Sequence, residues 1–332
     1  MVPLARHNAT VLAAMIAAGE TTSVAVVEAH LGRITEMNEP LRAVVAINAD
    51  ACRAAAQTAD DALARGKAAG PLHGVPFTVK DWIETHDLPC SGGVEERRNF
   101  VPTRDATVVA RMRAAGAILL GKTKPGADDA VHPRARNPYN VARSTGGSSA
   151  AEAAIIAAGG SPIGLGSDSG GSLRLPAAWC GIATLKPTAG FVPVTGHFPR
   201  VGGIADPRTQ IGPMARSVDD LDLILRVIAG PDGRDPDVIP MALRDLAAVR
   251  MAGLRVAVCT EVSGVRPAPE VADSGTAAAN ALAAAGATVV EARPPRIDEA
   301  LAITQAYWAR ARSLSASEWR PYWPSKLSAD DI

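Results

Sequence analysis

A charge imbalance is the first thing this chain lacks: Lys+Arg and Asp+Glu each number 34. A nucleic-acid or anionic-membrane partner ordinarily leaves a basic excess, so neither is expected. Long apolar runs are also missing. Val11–Ala18 comes nearest, far short of the ~18 residues a membrane span needs. Behind Arg6 and His7 it imitates the core of a signal peptide, but Glu20 and a second helical segment follow at once, so it reads as an amphipathic helix entering the fold. Cys52, Cys90, Cys180 and Cys259 lie far apart with no CxxC pair, which predicts reduced thiols and a cytoplasmic protein. The six histidines show no HxxxH or HxH spacing, so no metal is expected.

The glycine motifs of cofactor binding are absent as well. Gly164-x-Gly166 follows a short apolar run like the start of a dinucleotide fingerprint, but the next glycine falls one position too late. No GxxxxGK[ST] loop occurs, so no cofactor is expected. The nucleophile elbow GxSxG is missing too, because Ala150 stands where the glycine after Ser148 would close it.

What is present is 332 residues, 47% hydrophobic, with 30 glycines and 25 prolines, the composition of a turn-rich globular protein. Thr22 or Ser23 caps a segment with Val24, Val27, Leu31 and Ile34 on one helical face. Asp50–Ala69 reads as an alanine-rich helix closed by Gly70-Pro71, and Val75–Lys80 as a buried strand. A helix from an Asp105 cap to Ala115 and a strand at Ala117–Leu120 follow. Ala150–Ala158 reads as a helix and Ile163–Leu165 as a strand; a helix opens at Ser217 with Leu221, Leu225 and Ile228 on one face. This alternation predicts an α/β fold, a sheet covered by helices. The expected organisation is a single domain over 1–332: a helical segment 1–70, a core 71–230, an Asp/Pro-rich linker or loop at Asp232–Pro240, and a strand–helix–strand extension 250–332. Trp308, Trp319, Tyr322 and Trp323 crowd the last part and read as packing residues.

The most constrained stretch is Ser144–Thr188. It holds two glycine–serine clusters, Gly146-Gly147-Ser148-Ser149 and Ser169-Gly170-Gly171-Ser172. Such clusters turn tightly and aim backbone N–H groups at a reacting oxygen. A serine hydroxyl is a poor nucleophile until something removes its proton. Lysine can do so when neutral, which at pH 7 costs roughly 4.5 kcal/mol unless burial helps. Lys80, ending an apolar strand, is best placed; Asp81 beside it should point the opposite way. Lys67, Lys122 and Lys124 read as solvated charges.

These residues resemble the amidase signature family. The likeness runs from Gly74–Asp81 through Gly146–Ser149, Gly164–Arg174, Pro176–Thr188 and Gly212-Pro213-Met214, with weaker echoes to about Val290. The resemblance implies a mixed sheet with helices on both faces and carboxamide hydrolysis by a Ser–Ser–Lys triad. Ser172 would be the nucleophile, Ser148 the bridge, with Ser149 its rival, and Lys80 the base. The backbone of Ser169, Gly170, Gly171 and Ser172 would form the oxyanion hole, and the Gly147–Ser148 peptide would be cis. Asp168 and Arg174 would brace the loop, and Cys180 would pack in the core. The chain departs from the family at Ala150-Ala151, where glycines are usual, at Lys124-Pro125-Gly126, and in length, since family chains usually continue further. The expected partner is a small amide substrate, and a homodimer is compatible with the reading. Two alternatives stand beside it: the glutamine-hydrolysing A subunit of a tRNA-dependent amidotransferase, which needs partner subunits, and a non-catalytic shortened relative.

Overall fold

Alanine-rich helices and short apolar runs build a six-stranded mixed sheet and a separate two-stranded one. The computed structural model describes residues 2–126, 129–201, 208–261 and 266–313, with side chains as far as 306. Backbone packing divides it into two compact units with the boundary between Met241 and Ala242, just past the Asp232–Pro240 stretch.

In the first unit, α1 (Ala9–Ala17) takes up the apolar N-terminal run and buries Ala9, Leu12 and Ile16. Its first N–H groups, from Ala9 and Thr10, are satisfied by the buried Asp220 carboxylate at 3.0 and 2.9 Å. Thr22 caps α2 (Ser23–Leu41), its hydroxyl accepting from the Ala25 N–H at 3.0 Å. Val27, Leu31 and Ile34 are buried on that helix, with Val24 at the margin. Each such side chain contributes about 1.5–3 kcal/mol when fully buried. The next helix, α3 (Ala49–Ala64), starts at an Asn48 cap and stops before the expected Ala69. Gly66 and Lys67 turn their N–H groups onto the Leu63 and Ala62 carbonyls and close it early.

Six strands form the sheet: β1 (Val44–Ile47), β2 (Pro76–Lys80), β3 (Ile118–Thr123), β4 (Ile163–Asp168), β5 (Ala183–Thr184) and β6 (Gln210–Ala215), in the order β1-β3-β2-β4-β6-β5. Central β2 runs parallel to β3 and β4; the β1–β3, β4–β6 and β5–β6 pairs are antiparallel. Strands β2, β3, β4 and β6 are buried along their whole length, which is why the first three of these read as short continuous runs rather than alternating ones. Helix α4 (Thr107–Ala114) precedes β3, but Asp105 does not cap it. Its carboxylate accepts instead from the His86 backbone N–H at 3.0 Å and pairs with Arg113 at 3.1 Å.

Helix α5 (Ala150–Ala157) lies between the serine loops and β4 and is buried almost throughout. A Cβ at Gly164 would come 1.9 Å from Glu152 Oε1. That glycine therefore lets α5 close on the sheet, and Gly164-x-Gly166 is a packing motif. Helix α6 (Arg174–Cys180) follows the second serine cluster, and its Cys180 is buried in an apolar cluster with Leu173 and Met214. Ser217 caps α7 (Val218–Ile228), whose Leu221, Ile224, Leu225 and Ile228 face inward. All four cysteines are free thiols. No helix among the described residues is long and apolar enough to cross a membrane.

Lys122 and Lys124 are not solvated: both are fully buried. Lys122 Nζ donates to the Ile83 carbonyl and lies 3.5 Å from Asp81 Oδ1. Lys124 Nζ meets Asp129 at 2.6 Å and the Pro125 carbonyl at 3.0 Å. A buried ammonium is tolerated only when paired in this way.

The second unit contains a parallel pair, β7 (Arg255–Val258) and β8 (Thr288–Glu291), joined by α8 (Pro269–Ala284) and followed by α9 (Ile297–Ser313). Ala279 and Ala287 are buried there. Trp319, Tyr322, Trp323 and the side chain of Trp308, expected to pack, lie outside the described residues.

Candidate active site

The sheet delivers its polar groups at the carboxyl ends of the parallel strands β2 and β4, where ligands bind in open α/β sheets. Pairing runs Phe77↔Ile163, Thr78↔Gly164 and Val79↔Leu165. Continuing that register sets Lys80, the last residue of β2, beside the Gly166-Ser167-Asp168 end of β4. Lys80 is fully buried. Its Nζ lies 2.6 Å from Ser148 Oγ, 3.0 Å from Ser167 Oγ, and 3.9 Å from the centre of the Trp82 ring.

Burial drives the Lys80 pKa well below its ordinary value, against the pull of the Asp168 and Glu152 carboxylates. Asp81 points away, as strand alternation requires. Its carboxylate accepts from the Ser91 N–H, Ser91 hydroxyl and Gly92 N–H at 3.0, 2.7 and 3.1 Å. Burial also raises Glu152, to about 7, even though the Thr123 and Thr78 hydroxyls donate to it and Lys122 and Lys80 lie near.

The two serine loops touch each other. Ser148 N–H donates to Ser172 Oγ at 3.1 Å, and Ser149 N–H to the Ser172 carbonyl at 3.2 Å. A Cβ at Gly147 would stand 2.7 Å from Ser172 Cα, so only glycine permits this approach. Ser148 and Ser149 now separate cleanly. Ser149 is buried and bridges the Ser167 backbone, donating to its carbonyl at 3.1 Å and accepting from its N–H at 3.2 Å, whereas Ser148 faces Lys80. Among the described residues the cis peptide is Phe198–Pro199. Gly147–Ser148, expected to be cis, is trans and turns its N–H toward Ser172.

The loop Ser169–Ser172 is braced as expected. Asp168 accepts from Arg174 Nε at 2.9 Å and Nη2 at 3.0 Å, and from the N–H groups of Gly171 at 2.7 Å and Leu173 at 3.0 Å. Burial alone would raise the Asp168 pKa, but the Arg174 guanidinium and those two amides hold it down at about 2. Gly171, expected as an oxyanion donor, thus has its N–H engaged by Asp168. Gly170 and Ser172 have no acceptor for theirs among the described residues. The Ser169 hydroxyl is bonded to Thr209.

Because the folded pKa of Asp168 is depressed, its stabilisation is present above the ordinary carboxylate range and is lost as pH falls toward 2. Asp168→Asn is expected to cost about 2–3 kcal/mol at pH 7, with the gap from the unmodified chain closing at acid pH. Urea unfolding across pH checks this; a constant gap would contradict it.

Ser167, His197, Glu152 and Trp82, which also meet at this site, are singled out by no motif in the sequence. Ser167 could have been found as the residue of β4 level with the end of β2. His197 carries no local signal: it sits in a loop, buried, 2.9 Å from Ser167 Oγ. Elsewhere, His86, Asp87 and Asp105 gather three potential metal ligands at the surface. Arg113 already pairs with both carboxylates there, at 2.6 and 3.1 Å.

A family model described as Amidase matches residues 25–326. The A subunit of the glutamyl-tRNA(Gln) amidotransferase of Mycobacteroides abscessus is 40% identical over 316 residues, covering 91% of this chain and 63% of that protein. The chain thus spans less than two thirds of that relative's length. The peptide amidase of Stenotrophomonas maltophilia superposes with a TM-score of 0.79 at 33% identity, over 93% of this chain and 65% of that one. Fatty acid amide hydrolase superposes with a TM-score of 0.79 at 30% identity, covering 89% and 55%.

Proposed function

Because the chain belongs to the amidase family, we propose that it hydrolyses a carboxamide through an acyl-enzyme on Ser172, with Lys80 as base and Ser148 as proton bridge. The observation that carries this reading is a buried amine with a lowered pKa 2.6 Å from the Ser148 hydroxyl, on the loop that touches Ser172. Neutral Lys80 takes the Ser148 proton as Ser148 takes that of Ser172. Ser172 Oγ then bonds to the carbonyl carbon. The backbone N–H groups of Gly170 and Ser172, with Ser169 beside them, meet the oxyanion, and one such donor contributes about 3–4 kcal/mol to the barrier reduction. The C–N bond breaks as the proton returns through Ser148 to the leaving nitrogen, and water cleaves the resulting ester.

The amide favoured by the sequence relatives is glutamine. Relatives at 40% identity are named as A subunits of glutamyl-tRNA(Gln) amidotransferases, a role in which the released ammonia passes to a partner-held, tRNA-linked acceptor. The chain's zero net charge adds no support for tRNA contact by this chain itself. A free amidase is the second reading, favoured by the likeness to peptide amidase and fatty acid amide hydrolase. Ammonia release separates them, measured on glutamine and on peptide and aliphatic amides, with and without amidotransferase partner subunits. Turnover of glutamine, rising with partners, supports the first. Turnover of the other amides alone supports the second. None from folded protein overturns amide hydrolysis and leaves a non-catalytic relative.

A further inference from the structure

Lys80 must do more than be neutral: its lone pair must face Ser148. A neutral amine has two N–H donors and one lone pair. Three groups surround Lys80 Nζ, namely Ser148 Oγ at 2.6 Å, Ser167 Oγ at 3.0 Å and the Trp82 ring at 3.9 Å. The ring face accepts an N–H and donates nothing. Were Ser167 to donate its proton to Nζ, the lone pair would be capped on the wrong side, and Ser148 would receive an N–H instead of giving up its proton.

The orientation of Ser167 is set further out. His197 Nδ1 lies 2.8 Å from the Pro199 carbonyl oxygen. A carbonyl only accepts, so Nδ1 carries the proton. In a neutral imidazole Nε2 is then bare and only accepts. Ser167 Oγ, 2.9 Å from Nε2, must therefore donate to it, and a hydroxyl has one proton to give. Towards Lys80, Ser167 is left an acceptor. Burial, opposed by the Pro199 bond and reinforced when Lys80 is charged, lowers the His197 pKa to about 3, so the ring is neutral near pH 7. The Trp82 ring meets the His197 ring edge-on at 5.9 Å and closes the remaining side.

We propose that His197 is a positioning residue that fixes the direction of proton transfer: acting through Ser167, it obliges Lys80 to direct an N–H there and to present its lone pair to Ser148. The inference rests on the amide-hydrolysis reading. The charged groups that face this chain of bonds are Asp168 and Glu152 at Lys80, with Lys122 behind Glu152, and none of them is a hydrogen-bond partner of Ser167 or His197.

The test combines kinetics with histidine nitrogen NMR. In His197→Ala, Ser167 is free to turn, and kcat is expected to fall about 10–100-fold with KM little changed, while the acid limb of the pH–rate profile shifts. Ser167→Ala should lose as much, and Ser167→Thr, which keeps the hydroxyl, should recover most of it. Because the two residues act in series, the double alanine variant should cost no more than either single one. Multiplying losses, or unchanged kcat in His197→Ala, would overturn the proposal. Nitrogen-15 spectra of the unmodified chain give a readout independent of turnover. A His197 that stays neutral and protonated at Nδ1 from pH 8 down to pH 5 is expected; a proton on Nε2, or a cationic ring at pH 5, overturns it. If the chain cleaves no amide, amide hydrolysis fails, and the spectra still decide the orientation.

Discussion

Ser172→Ala is expected to lower carboxamide hydrolysis by about 10⁴–10⁶-fold, leaving only what bound, oriented substrate gains from the oxyanion donors. The loss belongs to chemistry rather than folding. Ser172 is half-buried, and its Oγ receives one bond, from the Ser148 N–H at 3.1 Å. Removing that oxygen leaves a partly accessible N–H unpaired and no cavity in an apolar core. The melting temperature is therefore expected to move little. Loss of rate together with collapse of the fold would place Ser172 among structural residues instead, and retention of rate would assign the nucleophile elsewhere. Steady-state kinetics beside thermal unfolding separates these outcomes.

Lys80→Met is expected to remove about 10³–10⁴-fold of the rate while making the fold more stable. Methionine fills similar volume without an amine to keep uncharged. The pH dependence follows from the direction of the shift. Burial lowers the folded pKa of Lys80 below its unfolded value, so between the two values the unfolded chain binds more protons and folding stability rises with pH. The lysine penalty is thus greatest in acid and vanishes above the ordinary lysine range. The stability advantage of Lys80→Met should accordingly be largest at low pH and shrink as pH rises. In the unmodified chain the hydrolysis rate should fall as pH drops through the Lys80 pKa. A rate that rises as pH falls, or a Lys80→Met variant less stable than the unmodified chain at every pH, would contradict a neutral lysine base.

The parts of this arrangement legible in the sequence are those encoded locally. The glycine–serine clusters announce tight turns, and a lysine ending an apolar run announces a buried amine. Thr22 and Ser217 announce helix starts that the structure keeps. Parts encoded by register or by distant packing are not legible. Strand β6 is hidden by Gly212-Pro213, because proline within a run argues against a central strand; here Pro213 pairs opposite Leu165, and its carbonyl accepts from Leu185 N–H at 3.3 Å and the Thr184 hydroxyl at 2.8 Å. Strand β1 is short, and its burial fades along its length, so it has no strong pattern. Lys122 and Lys124 look solvated because nothing local shows that Asp81 and Asp129 wait for them. The choice between Ser148 and Ser149 depends on which hydroxyl the α5 entry turns toward Lys80, and adjacent identical residues carry no signal for that. Gly171 looks like a free donor until Asp168, three positions earlier, is seen to take its N–H. His197 and Ser167 meet only because the loop carrying Gly196 and His197 pairs back onto Ile83 beyond the end of β2.

Everything proposed for this site turns on Ser172 as a nucleophile activated by a neutral Lys80 through Ser148. Labelling the unmodified chain with a serine-directed fluorophosphonate, followed by mapping of the modified peptide, tests it most directly. One adduct is expected, on Ser172, formed faster as pH rises and much more slowly in Lys80→Met. An adduct on Ser148, Ser149 or another serine, or no adduct on a folded chain, would contradict it.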